Sequence, residues 1–131
     1  MSSTQAILDH HLQCFVTCDL EGTLADFDAQ SVLMTPDGAL HGLDEIRGFF
    51  TGAFAEFGRP GTTFALKAML VEGDYAFVVW EAETADNRFE SASDTFVMRD
   101  GRIALQTYAA KVTPKQATVS SGTRERAESM A

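Results

Sequence analysis

The chain has 131 residues, 45% of them hydrophobic, and a formal net charge of −9, which leaves room for one domain with one core. The stretch after Val112 sets Lys115, Arg124 and Arg126 against Glu125 and Glu128, a net of +1, so the first 112 residues carry −10. That balance excludes a nucleic-acid partner, which needs a basic footprint, and disfavours an anionic lipid surface.

No stretch approaches the roughly 18 uninterrupted apolar residues of a membrane span. The opening MSSTQAILDHH has neither the basic start nor the long apolar run of a signal peptide. Cys14 and Cys18, four apart on a predicted helix, make no disulfide framework. The expected setting is the reducing cytoplasm.

Thr4 is the predicted N-cap of a first helix reaching to about residue 20. Leu8, Leu12, Phe15 and Asp19 recur along it at helical spacing, flanked by His11 and Val16. Gly22 then reads as a helix stop and Thr23 as the cap of a short second helix over 23–27. A strand over 30–34, the turn Thr35-Pro36-Asp37-Gly38 and a short strand over 39–41 follow. Apolar residues at 43, 46, 50, 54 and 57 predict an amphipathic helix ended by Gly58. Strands are predicted over 64–71 and 76–82, around the turn at Gly73-Asp74. Helices before a run of long antiparallel strands predict an α+β fold, with the helices on one face of a curved sheet. The polar stretch 113–131 reads as a tail, with a short helix at TRERAESM as the alternative.

The last predicted element is a hairpin, SASDTFVMRDGRIALQTYAAKV, over 91–112. Asp100-Gly101 between alternating apolar residues signals its turn. Asp94, Phe96 and Met98 share a strand face, and the latter two mark that face as buried. A carboxylate there needs a partner or a proton. The preferred three-residue loop pairs Met98 with Arg102, sets Asp94 against Gln106, and puts Tyr108 one step along the same face. A two-residue loop would set Asp94 against Thr107 instead.

The ordered set of His41-Gly42 before a helix with Ile46, Val78-Val79-Trp80 ending a strand, and Asp94-Thr95-Phe96 running into Arg99-Asp100-Gly101-Arg102-Ile103 resembles the nuclear-transport-factor-2-like superfamily. Within it the chain is similar to SnoaL-like polyketide cyclases and ketosteroid isomerases, over roughly residues 5–112. The resemblance implies a cystatin-like α+β cone over 1–112, in which a curved, mostly antiparallel sheet wraps three helices from the N-terminal half and leaves a deep apolar pocket. It also implies that Asp94 stands where ketosteroid isomerases keep a protonated aspartate that hydrogen-bonds the substrate oxyanion. The base aspartate of those isomerases precedes the proline of the early hairpin, where this chain has Thr35 before Pro36. Their tyrosine donor lies on the first helix, where the nearest matches are Cys14 and Phe15. The implied enzyme is therefore a SnoaL-like one using Asp94 alone as general acid or base. The bland reading of Asp94 is a carboxylate satisfied by Gln106, Tyr108 or water.

Trp80, Tyr108, Phe15, Phe96 and Gln106 are the expected ligand contacts around it, although for Phe96 ordinary core packing is the favoured reading. Asp19 reads as a helix cap or a second pocket carboxylate. His41 reads as a backbone-bonding residue. His10, Cys14 and Cys18 do not make a metal site, because eight residues of helix put the outer two about 12 Å apart. Phosphate loops, nucleophile elbows and dinucleotide fingerprints are absent from the sequence, so no cofactor is expected.

The expected function is binding of a small apolar or carbonyl-bearing molecule, with isomerase, cyclase or dehydratase chemistry at Asp94. The alternative is a non-catalytic ligand-binding or dimerisation domain. An isologous homodimer is expected through an outer sheet face carrying Phe77, Val79, Ile103, Leu105 and Thr107, the face through which similar family members pair.

Overall fold

The structure, a computed structural model, describes residues 3–115. In order run α1 Thr4–Val16, α2 Leu20–Leu24, β1 Val32–Thr35, β2 Gly38–His41, α3 Gly42–Phe57, β3 Thr63–Glu72, β4 Tyr75–Glu83, β5 Asn87–Arg99 and β6 Arg102–Pro114. The strands form one sheet in the order β2-β1-β6-β5-β4-β3. β1 runs parallel to β6, and the other neighbours are antiparallel. This is the expected α+β fold. The concave face of the sheet packs on α1 and α3 through a core that includes Leu8, Ile46, Phe50, Val78, Phe96 and Ile103.

The start of the chain departs from the sequence reading in two places. Ser3, not Thr4, caps α1, its Oγ accepting from the Ala6 N–H at 3.0 Å. Thr4 is left to donate to the Gly73 carbonyl at 2.7 Å, which ties α1 to the β3–β4 turn. α1 then stops at Val16, because Asp19 is a stronger cap than Thr23. Its Oδ1 accepts from the Gly22 N–H at 2.9 Å and starts α2 at Leu20. Gly22 is therefore inside a helix rather than at its stop. A Cβ there would collide with Asp19 Oδ2 and lie 2.8 Å from Cys14 Sγ, so glycine is what lets α2 close on α1.

The last hairpin decides what surrounds Asp94, and its turn is the two-residue one. Arg99 pairs with Arg102, while Asp100 (φ 55°) and Gly101 (φ 76°) both take the left-handed conformation, the geometry whose twist matches the flanking strands. Alone, that register would turn Gln106 and Tyr108 away from Asp94. A bulge restores them. Met98 pairs with Ile103 but Val97 pairs with Leu105, so Ala104 is an extra residue on β6. Beyond it Phe96 faces Gln106 and Asp94 faces Tyr108. The bulge disturbs the ladder, and the Ile103 backbone finds partners elsewhere. Its N–H donates to the Asp26 carbonyl at 2.7 Å, and its carbonyl accepts from Ser31 Oγ at 2.6 Å.

The same bulge corrects the expected outer face. Ile103 lies before it and is fully buried, whereas Leu105 and Thr107 lie after it and are half-buried. The outer face carries two cross-strand rows. Leu70, Phe77, Thr95, Thr107 and Met34 form one, and Tyr75, Val97, Leu105 and Val32 form the other. Leu70 is 66% exposed, Tyr75 59% and Phe77 37%. Glu81 and Glu83 continue along that face, near Lys67 and against Arg88.

β6 runs two residues beyond the expected limit at 112, pairing Thr113 with Arg88 and Pro114 with Asn87. From residue 116 on, the expected tail, with the alternative helix at TRERAESM, lies outside the described residues. Among the described residues no helix is long and apolar enough to cross a membrane.

Candidate functional site

Between the concave sheet face and the two long helices lies a cavity of about 240 Å³. α1 contributes His11, Leu12 and Phe15, and α3 contributes Phe49, Phe50, Ala53, Glu56 and Phe57. The sheet wall carries Phe64, Trp80, Phe89, Asp94, Gln106 and Tyr108. The volume is just below the roughly 300–1,000 Å³ of drug-sized ligand sites, which limits an occupant to a small molecule. Trp80 is stacked beside Phe89 at 6.0 Å and beside Tyr108 at 6.2 Å, forming an aromatic panel. A wider groove of about 850 Å³ along the β1–β2 hairpin shares Phe49 and Tyr108 with the cavity.

Asp94 is 8% exposed at this wall. Its Oδ1 accepts from Trp80 Nε1 at 3.1 Å and its Oδ2 from Gln106 Nε2 at 2.8 Å. Burial raises its pKa to about 6, and the two hydrogen bonds hold it from rising further. A carboxyl that changes charge near pH 6 can both give and take a proton near neutrality. Gln106 is buried too, and its Oε1 has no partner. Turned over, its amide would accept from the neutral acid, so Gln106 can serve either state of Asp94.

Tyr108 also lines the cavity. Burial, then the charges of Asp94 and Glu56, push its hydroxyl up to about 12, so it stays a donor. It makes no hydrogen bond to the described residues.

Two polar cavity residues escaped the sequence reading. His11 is buried, edge-on to Phe27, Phe50 and Phe96, with Nδ1 unpartnered. Burial, helped by neighbouring His10, lowers its pKa to about 4 and keeps it neutral. It was legible only as one turn before Phe15 on the same face of α1. Glu56 lies on α3 one and two turns beyond Ala53 and Phe49, a second stripe beside the apolar one. Its Oε2 accepts from Thr84 Oγ1 at 2.6 Å and Asn87 Nδ2 at 2.7 Å.

The structure gathers Phe15, Trp80, Asp94, Gln106 and Tyr108 around the cavity and leaves Phe96 out. Phe96 sits beneath it, fully buried against the His11 ring at 5.2 Å, as core. Asp19 caps α2 away from the cavity. His41 is exposed, and its backbone N–H donates to Glu45 Oε1 at 2.7 Å. His10 pairs with Asp26 at 2.7 Å. Among the described residues no group of three or more His, Cys, Asp or Glu side chains is placed to hold a metal ion.

The family model for the SnoaL-like domain matches residues 8–106, well over half of the chain. The protein belongs to the SnoaL-like domain family. Its fold is that of the nuclear-transport-factor-2-like superfamily. No curated protein matches the sequence significantly. Among solved structures, this SnoaL-like domain is similar to a candidate ketosteroid isomerase from Kribbella flavida at 17% identity and a TM-score of 0.68, over 94% of this chain and 85% of that one. It is also similar to a candidate polyketide cyclase from Sinorhizobium meliloti at 18% identity and a TM-score of 0.67, over 78% of this chain and 92% of that one. TerC, crystallised with polyporic acid, matches at 19% identity and a TM-score of 0.66, over 84% of this chain and 92% of TerC. At such identities the likeness is one of fold.

Proposed function

We propose that this SnoaL-like domain binds a small apolar or aromatic carbonyl compound in its cavity, with Asp94 as the general acid–base group of an isomerase, cyclase or dehydratase reaction. The observation that carries this reading is Asp94 itself, a carboxyl titrating near pH 6 on an aromatic wall, with its acceptors held by Trp80 and Gln106. Rings on both helices and the sheet bind a flat apolar body, while Asp94 and the Tyr108 hydroxyl meet a carbonyl. The candidate cyclase and isomerase among its structural relatives support the reaction class, and TerC with polyporic acid supports a ring-bearing ligand. Both cysteines are free thiols, in keeping with a reducing, cytoplasmic compartment.

We also propose an isologous homodimer through the two outer apolar rows. A contiguous exposed patch that spans β3 to β1 is unusual on a monomer.

Trp80 is the single tryptophan and touches Asp94 directly, so its emission reports the site. Titration with a panel of small aromatic and alicyclic ketones is expected to give saturable quenching. Proton NMR of the bound compounds is expected to show conversion, slowed about 10²–10⁴-fold in Asp94→Asn. A panel without saturable quenching contradicts the binding reading. Binding without conversion contradicts the catalytic one and leaves the domain a binding module.

A further inference from the structure

The geometry points to Glu56 as the base of this cavity, working across it from the Asp94 acid. The inference rests on the acid–base reading of Asp94 and adds to it the group that reading lacks. Position 35, where the resemblance to ketosteroid isomerases implies a base, is Thr35, and a hydroxyl there offers no base near neutrality.

Three observations place Glu56 in that role. It lines the same cavity as Asp94, from the opposite wall, because α3 faces the sheet. Its carboxylate is held by one oxygen only. Thr84 Oγ1 and Asn87 Nδ2 both donate to Oε2, whereas Oε1 takes no hydrogen bond from the described residues. The hold is itself rigid, since Thr84 is fully buried and Asn87 returns its N–H to Thr84 Oγ1 at 3.0 Å. A carboxylate fixed at one oxygen and open at the other is pre-aimed. Tyr108 senses the charges of both Asp94 and Glu56, so both carboxyls lie within electrostatic reach of one hydroxyl.

The step this arrangement performs is enolisation of a ketone bearing a C–H beside its carbonyl. Glu56 Oε1 takes the proton from that carbon. The C–H electron pair becomes the C=C bond, and the carbonyl π pair moves onto oxygen. That oxygen takes the proton of neutral Asp94. The products are an enol, a protonated Glu56 and an ionised Asp94. Returning both protons restores the ketone, and a deuteron from solvent carried by Glu56 marks the carbon. Tyr108 remains protonated throughout and donates to the developing oxyanion.

The test uses 2-tetralone, a small aromatic ketone, in D₂O near pD 6. Deuterium entering carbon 1 is followed by proton NMR, and binding is followed by Trp80 quenching. Wild type should exchange well above the buffer rate. Glu56→Gln should lose about 100-fold or more, with an unchanged dissociation constant and thermal midpoint, because the glutamine carbonyl can still accept from Thr84 and Asn87. Thr84→Val keeps the carboxylate but loosens one of its two anchors, so it should lower the midpoint and cut exchange by less than Glu56→Gln does. Wild-type exchange that survives in Glu56→Gln overturns the assignment and leaves Asp94 standing. So does a joint loss of stability and exchange in both variants, which makes Glu56 a structural tie between α3 and the β4–β5 turn. Absence of exchange in wild type overturns both Glu56 and the acid–base reading of Asp94.

Discussion

Replacing Asp94 by asparagine is expected to make the domain lose stability more steeply on acidification than the wild type does. Two buried groups with opposite signs produce this. Asp94 titrates at about 6 in the fold and near 3.8 in the unfolded chain. The stability it contributes is fully present below about 3.8 and is lost as pH rises through about 6, a loss of about 3 kcal/mol. His11 titrates at about 4 in the fold and near 6.5 unfolded, so its contribution is present above 6.5 and lost as pH falls through about 4, again about 3 kcal/mol. In the wild type the two slopes oppose each other across this window. Asp94→Asn removes one and leaves the His11 loss uncovered, with the variant gaining stability at pH 8. In Asp94→Asn the substituted side chain's NH2 would donate to Oε1 of a turned Gln106 amide, the oxygen that is unpartnered in the wild type. His11→Leu should do the reverse and gain stability on acidification. Other carboxylates titrate alike in all three proteins and cancel in the comparison. Urea midpoints between pH 4 and pH 8 decide it, and parallel pH profiles for wild type and Asp94→Asn would contradict the account.

The second large effect concerns assembly. Wild type is expected to be a dimer by light scattering at micromolar concentration, and Phe77→Glu a monomer with an unchanged far-ultraviolet spectrum. Phe77 is 37% exposed and sits in the row between Leu70 and Thr95, so a glutamate there is solvated in the free subunit. Across a two-fold axis it would be buried twice, at roughly 3–5 kcal/mol for each unpaired charge. A monomeric wild type refutes the dimer, and a dimer that tolerates Phe77→Glu refutes the outer face as its interface.

The alternation of apolar residues along β4, β5 and β6 carried the architecture, and it put Trp80 and Asp94 on the concave face. The placing of Gln106 and Tyr108 beside Asp94 did not follow from the turn that suggested it. Asp100-Gly101 forms a two-residue turn, and the extra Ala104 restores the face parity. A bulge of this kind depends on Asp26 and Ser31, some 70 residues away in sequence, and no local pattern announces it. Ile103 was misplaced outward for the same reason. The α1–α2 junction was misread because Gly22 answers to close packing against Cys14 rather than to a helix end. Glu56 was hidden because charged residues at the edge of an apolar stripe ordinarily face solvent. Only its tertiary partners, Thr84 and Asn87, turn it inward.

On the proposed reading, Asp94 is an ionisable group buried in the wall of an aromatic-lined cavity, where it meets a ligand. A carboxyl-carbon NMR titration of Asp94 tests this most directly. A midpoint of about 6 is expected, displaced when 2-tetralone fills the cavity. A midpoint at or below the ordinary aspartate value of 3.8, unmoved by the ketone, would contradict it.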